Sequence, residues 1–113
     1  MSLSGPARRL MIILDEDRTH RHRPVVTEII HRAHAAGLSG ASAFRGIEGF
    51  GTTSRVHTSR ILSLLGNLPV VIVIVDTVEK IDAFLPQLDD LDAGGIVTID
   101  DVVVLRPGDK GAS

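Results

Sequence analysis

Val70-Val71-Ile72-Val73-Ile74-Val75 is an unbroken run of β-branched aliphatic residues, preceded by Leu68-Pro69 and closed by Asp76. Such residues favour strands, and a run this short between a proline and an acid reads as one strand rather than a helix. A strand in a sheet with one face in water alternates apolar and polar side chains, and this one does not. A continuous apolar run means that both of its faces are covered.

Outward from this strand, the chain divides into alternating elements. Leu10 to Leu14 is a second apolar run and reads as the first strand. Asp15 to Arg23 is a charged loop, and a helix starts at Pro24, because proline suits the first helical turn. Val26, Ile29, Ile30 and Ala33 recur at helical spacing, and Gly37 fits a left-handed cap after it. Ala41 to Ile47 reads as a strand, followed by a loop rich in Gly46, Gly49, Gly51 and hydroxyl residues. The segment 58–67 contains Ile61, Leu62, Leu64 and Leu65, and its pattern fits a helical turn and a strand equally well. Asp76 with Glu79 resembles a capping box opening a second helix, whose stripe is Val78, Ile81, Leu85 and Leu88, with Pro86 kinking or dividing it. Gly94-Gly95 precedes a last strand, Ile96 to Leu105.

The order β-α-β-β-α-β is the split motif of the ferredoxin-like fold, an α+β class with a four-stranded antiparallel sheet and two helices on one face. Two helices cannot cover both faces of Val70–Val75. The second face is therefore expected to meet another copy of the sheet. Each Val or Ile side chain so buried is worth ~1.5–3 kcal/mol. One domain over residues 8–106 is expected, with flexible termini at 1–7 and 107–113.

Composition narrows the function. The 113 residues hold no Cys, Trp or Tyr and only 3 Phe, with a net charge of −2. Disulfides, thiolate catalysis and cysteine zinc sites are excluded. A nucleic-acid binder needs a basic face and aromatic stacking platforms, and this chain has neither signature. No apolar run approaches the length of a membrane span, and a cytoplasmic location is expected.

Candidate chemistry is sparse. Arg45 with Gly46, Gly49 and Gly51 could place a guanidinium and backbone N–H groups around an anion, or the glycines could simply serve a hairpin. His31 and His34 lie one helical turn apart, as metal ligands do, but they are off the apolar stripe and lack a third ligand. His20 and His22 sit among Arg18, Arg21 and Arg23 in the first loop, where a plain charged loop is the simpler reading. His57 beside Ser54 and Thr58 lacks an orienting acid, and Asp89, Asp90 and Asp92 read as a solvated helix end. Asp100-Asp101 interrupts the last strand, at a bulge or an edge. With no catalytic constellation in view, the expectation is a binding protein and not an enzyme.

Several spaced motifs agree in order with one family. These are Gly40 to Gly51 (GASAFRGIEGFG), Ser54-Arg55-Val56-His57-Thr58, Leu68 to Asp76, Glu79-Lys80-Ile81 and Gly95-Ile96-Val97-Thr98. Together they resemble the PII-like proteins grouped as domain of unknown function 190, over Leu10 to Leu105. The resemblance implies a homotrimer related to the nitrogen-regulatory PII proteins, with sheets turned inward. It also implies an adenine nucleotide such as ATP or ADP as effector in clefts between subunits. The loop near 46–59 would then engage a transporter or enzyme partner. By the same resemblance, Gly49, Gly51, Gly94, Gly95 and Arg106 join Arg45 and Gly46 as ligand-binding residues. Thr52-Thr53-Ser54 stands where PII carries its metal-bridging glutamine, so metal-dependent 2-oxoglutarate sensing is not implied, and no metal site is expected. Two other readings share the fold: a divalent-metal-binding trimer of the ion-tolerance type, using His31/His34 or His20/His22, and a small ferredoxin-like enzyme.

Overall fold

A computed structural model describes residues 3–49, the backbone of 57–58, and residues 68–91 and 95–106. Four strands form the main sheet: β1 (Gly5–Asp15), β4 (Ser42–Arg45), β7 (Pro69–Asp76) and β8 (Ile96–Val104), in the order β4-β7-β1-β8. Every neighbouring pair is antiparallel. Two short ladders flank the sheet, β2 (Thr19–His20) with β3 (Arg23–Pro24) and β5 (Glu48–Gly49) with β6 (His57–Thr58). The helices are α1 (Val25–Ala35) and α2 (Val78–Phe84), the second continued by a 3-10 turn over Leu85–Leu88 that starts just before Pro86. This is the ferredoxin-like arrangement expected from the element order.

The core lies between the helices and one face of the two central strands. Leu10, Ile12 and Leu14 of β1 and Val70, Ile72 and Ile74 of β7 alternate with half-buried residues, and pack against Val25, Ile29 and Ala33 of α1 and Ile81 and Phe84 of α2. The apolar run that reads as doubly covered is thus covered by its own chain on one side only. Val71, Val73 and Val75 point to the opposite, open face with Met11 and Ile13, and Phe44 beside them is 59% exposed. The helices leave much of the edge strand β8 uncovered. Its Val97, Ile99 and Val103 are exposed on the helix side, and Ile96 is exposed on the open side.

Several local expectations are corrected. The first strand, expected over Leu10 to Leu14, begins at Gly5, and Ala7 within it is buried. The charged loop contains the β2–β3 hairpin, whose turn residues Arg21 and His22 both take positive φ, 51° and 68°. The cap of α2 is Thr77, whose hydroxyl accepts from the Lys80 N–H at 3.2 Å, and Asp76 lies one residue too early for that role. Asp76 is instead buried at 2% exposure. Its carboxylate accepts from the backbone N–H groups of Thr77 and Ser39, both at 2.7 Å, tying the loop after α1 to the end of β7. Gly37, at φ 77°, does cap α1, with the Leu38 N–H donating back to the Ala33 carbonyl.

Asp100 and Asp101 mark no bulge. The register of β8 on β1 is continuous, and it sets Asp101 opposite Arg8 and Asp100 opposite Arg9. Asp89 and Asp90 are exposed beyond α2, as expected, and Asp90 is in addition paired, with Arg32 donating to both of its oxygens at 2.6 and 3.1 Å. The undecided segment around Ile61 to Leu65 and the C-terminal stretch 107–113 lie outside the described residues.

Candidate functional site

Most of the groups expected to bind a ligand lie at one end of the sheet, where β1 and β4 finish and β7 and β8 begin. Arg45 is the last residue of β4 and pairs with Val70. Gly46 follows, its N–H donating to the Pro69 carbonyl at 2.7 Å. A Cβ on Gly46 would stand 2.9 Å from Pro69 Cγ, and one on Gly49 would stand 3.2 Å from the same atom. These glycines let the neck of the loop fold against Pro69. The neck is closed by a ladder, Glu48 opposite Thr58 and Gly49 opposite His57. The loop near 46–59 is thus tied together at its base.

Arg45 is not a free guanidinium. Its Nε lies 2.7 Å from Oε2 of Glu16, the residue after β1, and the two side chains are unequally covered, 60% and 12% exposed. They border a groove of about 390 Å³ on the helix side of β4, with Pro24, Val26, Ala43 and Val70 as apolar walls. A second hollow, about 470 Å³, lies on the opposite face of β4, beside Phe44, Val73 and Val75.

Gly95 shares this end of the sheet but not this edge. It precedes β8 and packs so closely that a Cβ would collide with the Ile13 carbonyl oxygen. With β4 and β8 at opposite edges, three inter-strand spacings of ~4.8 Å place Gly95 about 14 Å from Arg45. Arg106 follows β8 at its far end, where Val104 pairs with Gly5, roughly 30 Å along the strand at ~3.3 Å per residue. One chain therefore brings together Arg45, Gly46 and Gly49, and holds Gly95 and Arg106 apart from them. Gly51 and Gly94 lie outside the described residues.

The histidines do not converge. His31 and His34 are exposed on α1, His22 is at the hairpin turn, and His20 Nε2 lies 3.7 Å from Asp90. Among the described residues no three metal-ligating groups cluster, and no helix is long and apolar enough to cross a membrane.

Two charge clusters are absent from the readings of the sequence. Arg8 bridges Asp101 of β8 at 3.1 Å and Asp82 of α2 at 2.7 Å. Arg32 gathers Glu28 at 2.9 Å, Asp90 at 2.6 Å and the Gln87 carbonyl at 2.6 Å. Hydrogen bonds from Arg32 hold the Glu28 and Asp90 carboxyls below their ordinary values, and the same hydrogen bonds, to Asp90 first and then Glu28, raise the Arg32 guanidinium. The paired doublets Arg8-Arg9 and Asp100-Asp101, spaced for an antiparallel pair, were the available signal for the first cluster.

Comparison with known proteins agrees with the fold. The model of domain of unknown function 190, described as "Uncharacterized ACR, COG1993", matches residues 7–104. A UPF0166 protein of Aquifex aeolicus (strain VF5) is 35% identical over 96 residues, 85% of this chain and 90% of that one. Among solved structures, CPII of Thiomonas intermedia K12, a nitrogen regulatory PII-like protein bound to ADP, AMP and bicarbonate, matches with a TM-score of 0.64 at 19% identity, over 90% of this chain and 96% of that chain. A putative PII-like signaling protein from Thermus thermophilus matches with a TM-score of 0.66 at 14% identity, over 90% and 92%. At such identities the structural matches speak for the fold, and the family model and the Aquifex relative carry the assignment. Arranged as a ferredoxin-like sheet with one open apolar face, the chain belongs to the domain of unknown function 190 family and has a PII-like fold.

Proposed function

We propose that this protein is a PII-like regulatory homotrimer that binds an adenine nucleotide between subunits and acts on a partner through the loop near 46–59. The observation that carries this reading is the separation of Arg45, Gly46 and Gly49 on one sheet edge from Gly95 and Arg106 along the other. Edges that are apart in one chain become neighbours where copies meet head to tail. The open face, with Phe44, Val73 and Val75, supplies the apolar area for that association. Glycine lets backbone approach a phosphate, and arginine grips it with two prongs. CPII, of like fold, binds ADP and AMP, which supports an adenine nucleotide as the effector class. The protein binds and signals in this reading, and catalyses nothing.

Calorimetry with ATP, ADP and AMP tests it. Arg45→Ala and Arg106→Ala are each expected to weaken nucleotide binding by roughly ten- to a hundredfold, the loss of one charged hydrogen-bond partner, with the oligomer intact. No binding of any of the three to the wild type at millimolar concentration would overturn the nucleotide reading.

A further inference from the structure

The groove between α1 and β4 has an electrostatic asymmetry that phosphate binding does not use. Glu16 is its fixed, dry partner: 12% exposed at the side chain, with its backbone N–H donating to the Leu68 carbonyl at 2.9 Å. Arg45 is the wet partner, 60% exposed, reaching over the rim. A guanidinium already mostly in water stays hydrated when it swings out, so the cost of parting falls on the carboxylate. A carboxylate that is nearly covered cannot follow it. Once Arg45 has left, the carboxylate lacks a counter-charge. The groove therefore carries a carboxylate whose present partner is exchangeable, flanked by the apolar walls Val26, Ala43 and Val70.

We infer that this groove binds an alkylguanidinium, whose planar head takes the place of Arg45 on the Glu16 carboxylate and whose aliphatic stem lies along Val26, Ala43 and Val70. The fork of a guanidinium fits a carboxylate, and aliphatic stems cover apolar surface while their heads stay polar. At about 390 Å³ the groove falls within the ~300–1,000 Å³ of small-molecule sites. Such a head group belongs either to a free small molecule or to an arginine side chain of a partner protein. The inference stands independently of nucleotide binding.

Two probes separate the sources: n-butylguanidinium, and the tripeptide Gly-Arg-Gly blocked at both ends, each titrated by calorimetry and by amide NMR at low ionic strength. Arg45→Ala is expected to tighten binding about tenfold, because it removes the internal competitor. Glu16→Gln is expected to weaken it roughly ten- to a hundredfold. Shifts should centre on the Val26 and Thr27 amides. Ala43→Leu, which fills the groove without touching the carboxylate, should also weaken binding and serves should Glu16→Gln fail to fold. Binding of n-butylguanidinium alone supports the site with a free cation as its ligand. Tripeptide binding as tight or tighter supports it with a partner's arginine. Failure of both probes at millimolar concentration on the wild type and on Arg45→Ala, or binding indifferent to both Glu16→Gln and Ala43→Leu, would overturn the inference.

Discussion

Arg9 and Asp100 face each other across β1 and β8 through two parallel hydrogen bonds, Nε to Oδ1 at 3.0 Å and Nη2 to Oδ2 at 2.8 Å, on the sheet face that no helix covers. Around them that face is aliphatic: Met11 and Ile13 on β1, Val71, Val73 and Val75 on β7, Val102 and Val104 on β8. A forked ion pair amid apolar side chains is weak in water and costly to break once covered. That difference makes it a reporter of what lies against the face.

If the face is buried between copies, Arg9→Ala leaves the Asp100 carboxylate covered and unpaired, a loss of ~3–5 kcal/mol, whereas an exposed pair gives ~0.2–1 kcal/mol. The larger loss is expected, read from chemical denaturation at fixed chain concentration. Arg9→Leu combined with Asp100→Leu should recover most of it, since an apolar pair suits a buried face. A loss below about 1 kcal/mol in Arg9→Ala would place the pair in water.

The assembly itself can be counted. Light scattering after size exclusion should report about three chains at micromolar concentration, and Val73→Asp, which sets a charge on the open face, should release monomers. A wild type that runs as a monomer would contradict both the apolar patterning of β7 and the proposed trimer.

Gly95→Ala should destabilise the fold by ~1–3 kcal/mol, the cost of forcing an atom into packed backbone, because its Cβ would meet the Ile13 carbonyl oxygen. Gly40→Ala is the control, with nothing within 4 Å of the added atom. Thermal unfolding of the two variants should separate them clearly, and equal melting temperatures would remove the close approach of Gly95 to β1.

The Arg32 cluster predicts an acid-sensitive contribution to stability. Glu28 and Asp90 are held below their ordinary values by hydrogen bonds from Arg32. A depressed carboxyl contributes stability that is complete above its unfolded value and disappears as pH falls through its folded one. Melting temperature should therefore fall as pH drops below the ordinary carboxylate range, and Arg32→Gln should flatten that acid limb. An identical pH profile in the variant would show that the cluster does not couple to folding.

Much of this architecture was legible in particular residues. The aliphatic run of β7 announced a strand apolar on both faces, and the spacing in α1 and α2 announced which helical faces turn inward. Those are local facts, set by side-chain volume and by backbone periods of two and 3.6 residues. The stripe of α1 was misread only in phase, with Val25 buried and Val26 partly so. Asp76 was misread in role, because its partner Ser39 comes from another loop, far away in sequence.

What the sequence by itself determined is thus the element order, the fold class, the apolar character of the open face and the family. Tertiary structure alone decided which charges meet. Glu16 finds Arg45, Arg32 finds Asp90 and Arg9 finds Asp100 because strand order and register set them side by side. It likewise decided that Arg45 and Arg106 stand at different edges of one sheet, so that a site using both needs a second copy. Apolar patterning repeats along the chain and can be read from neighbours, whereas an ion pair depends on two distant positions, and nothing local to either residue encodes the other.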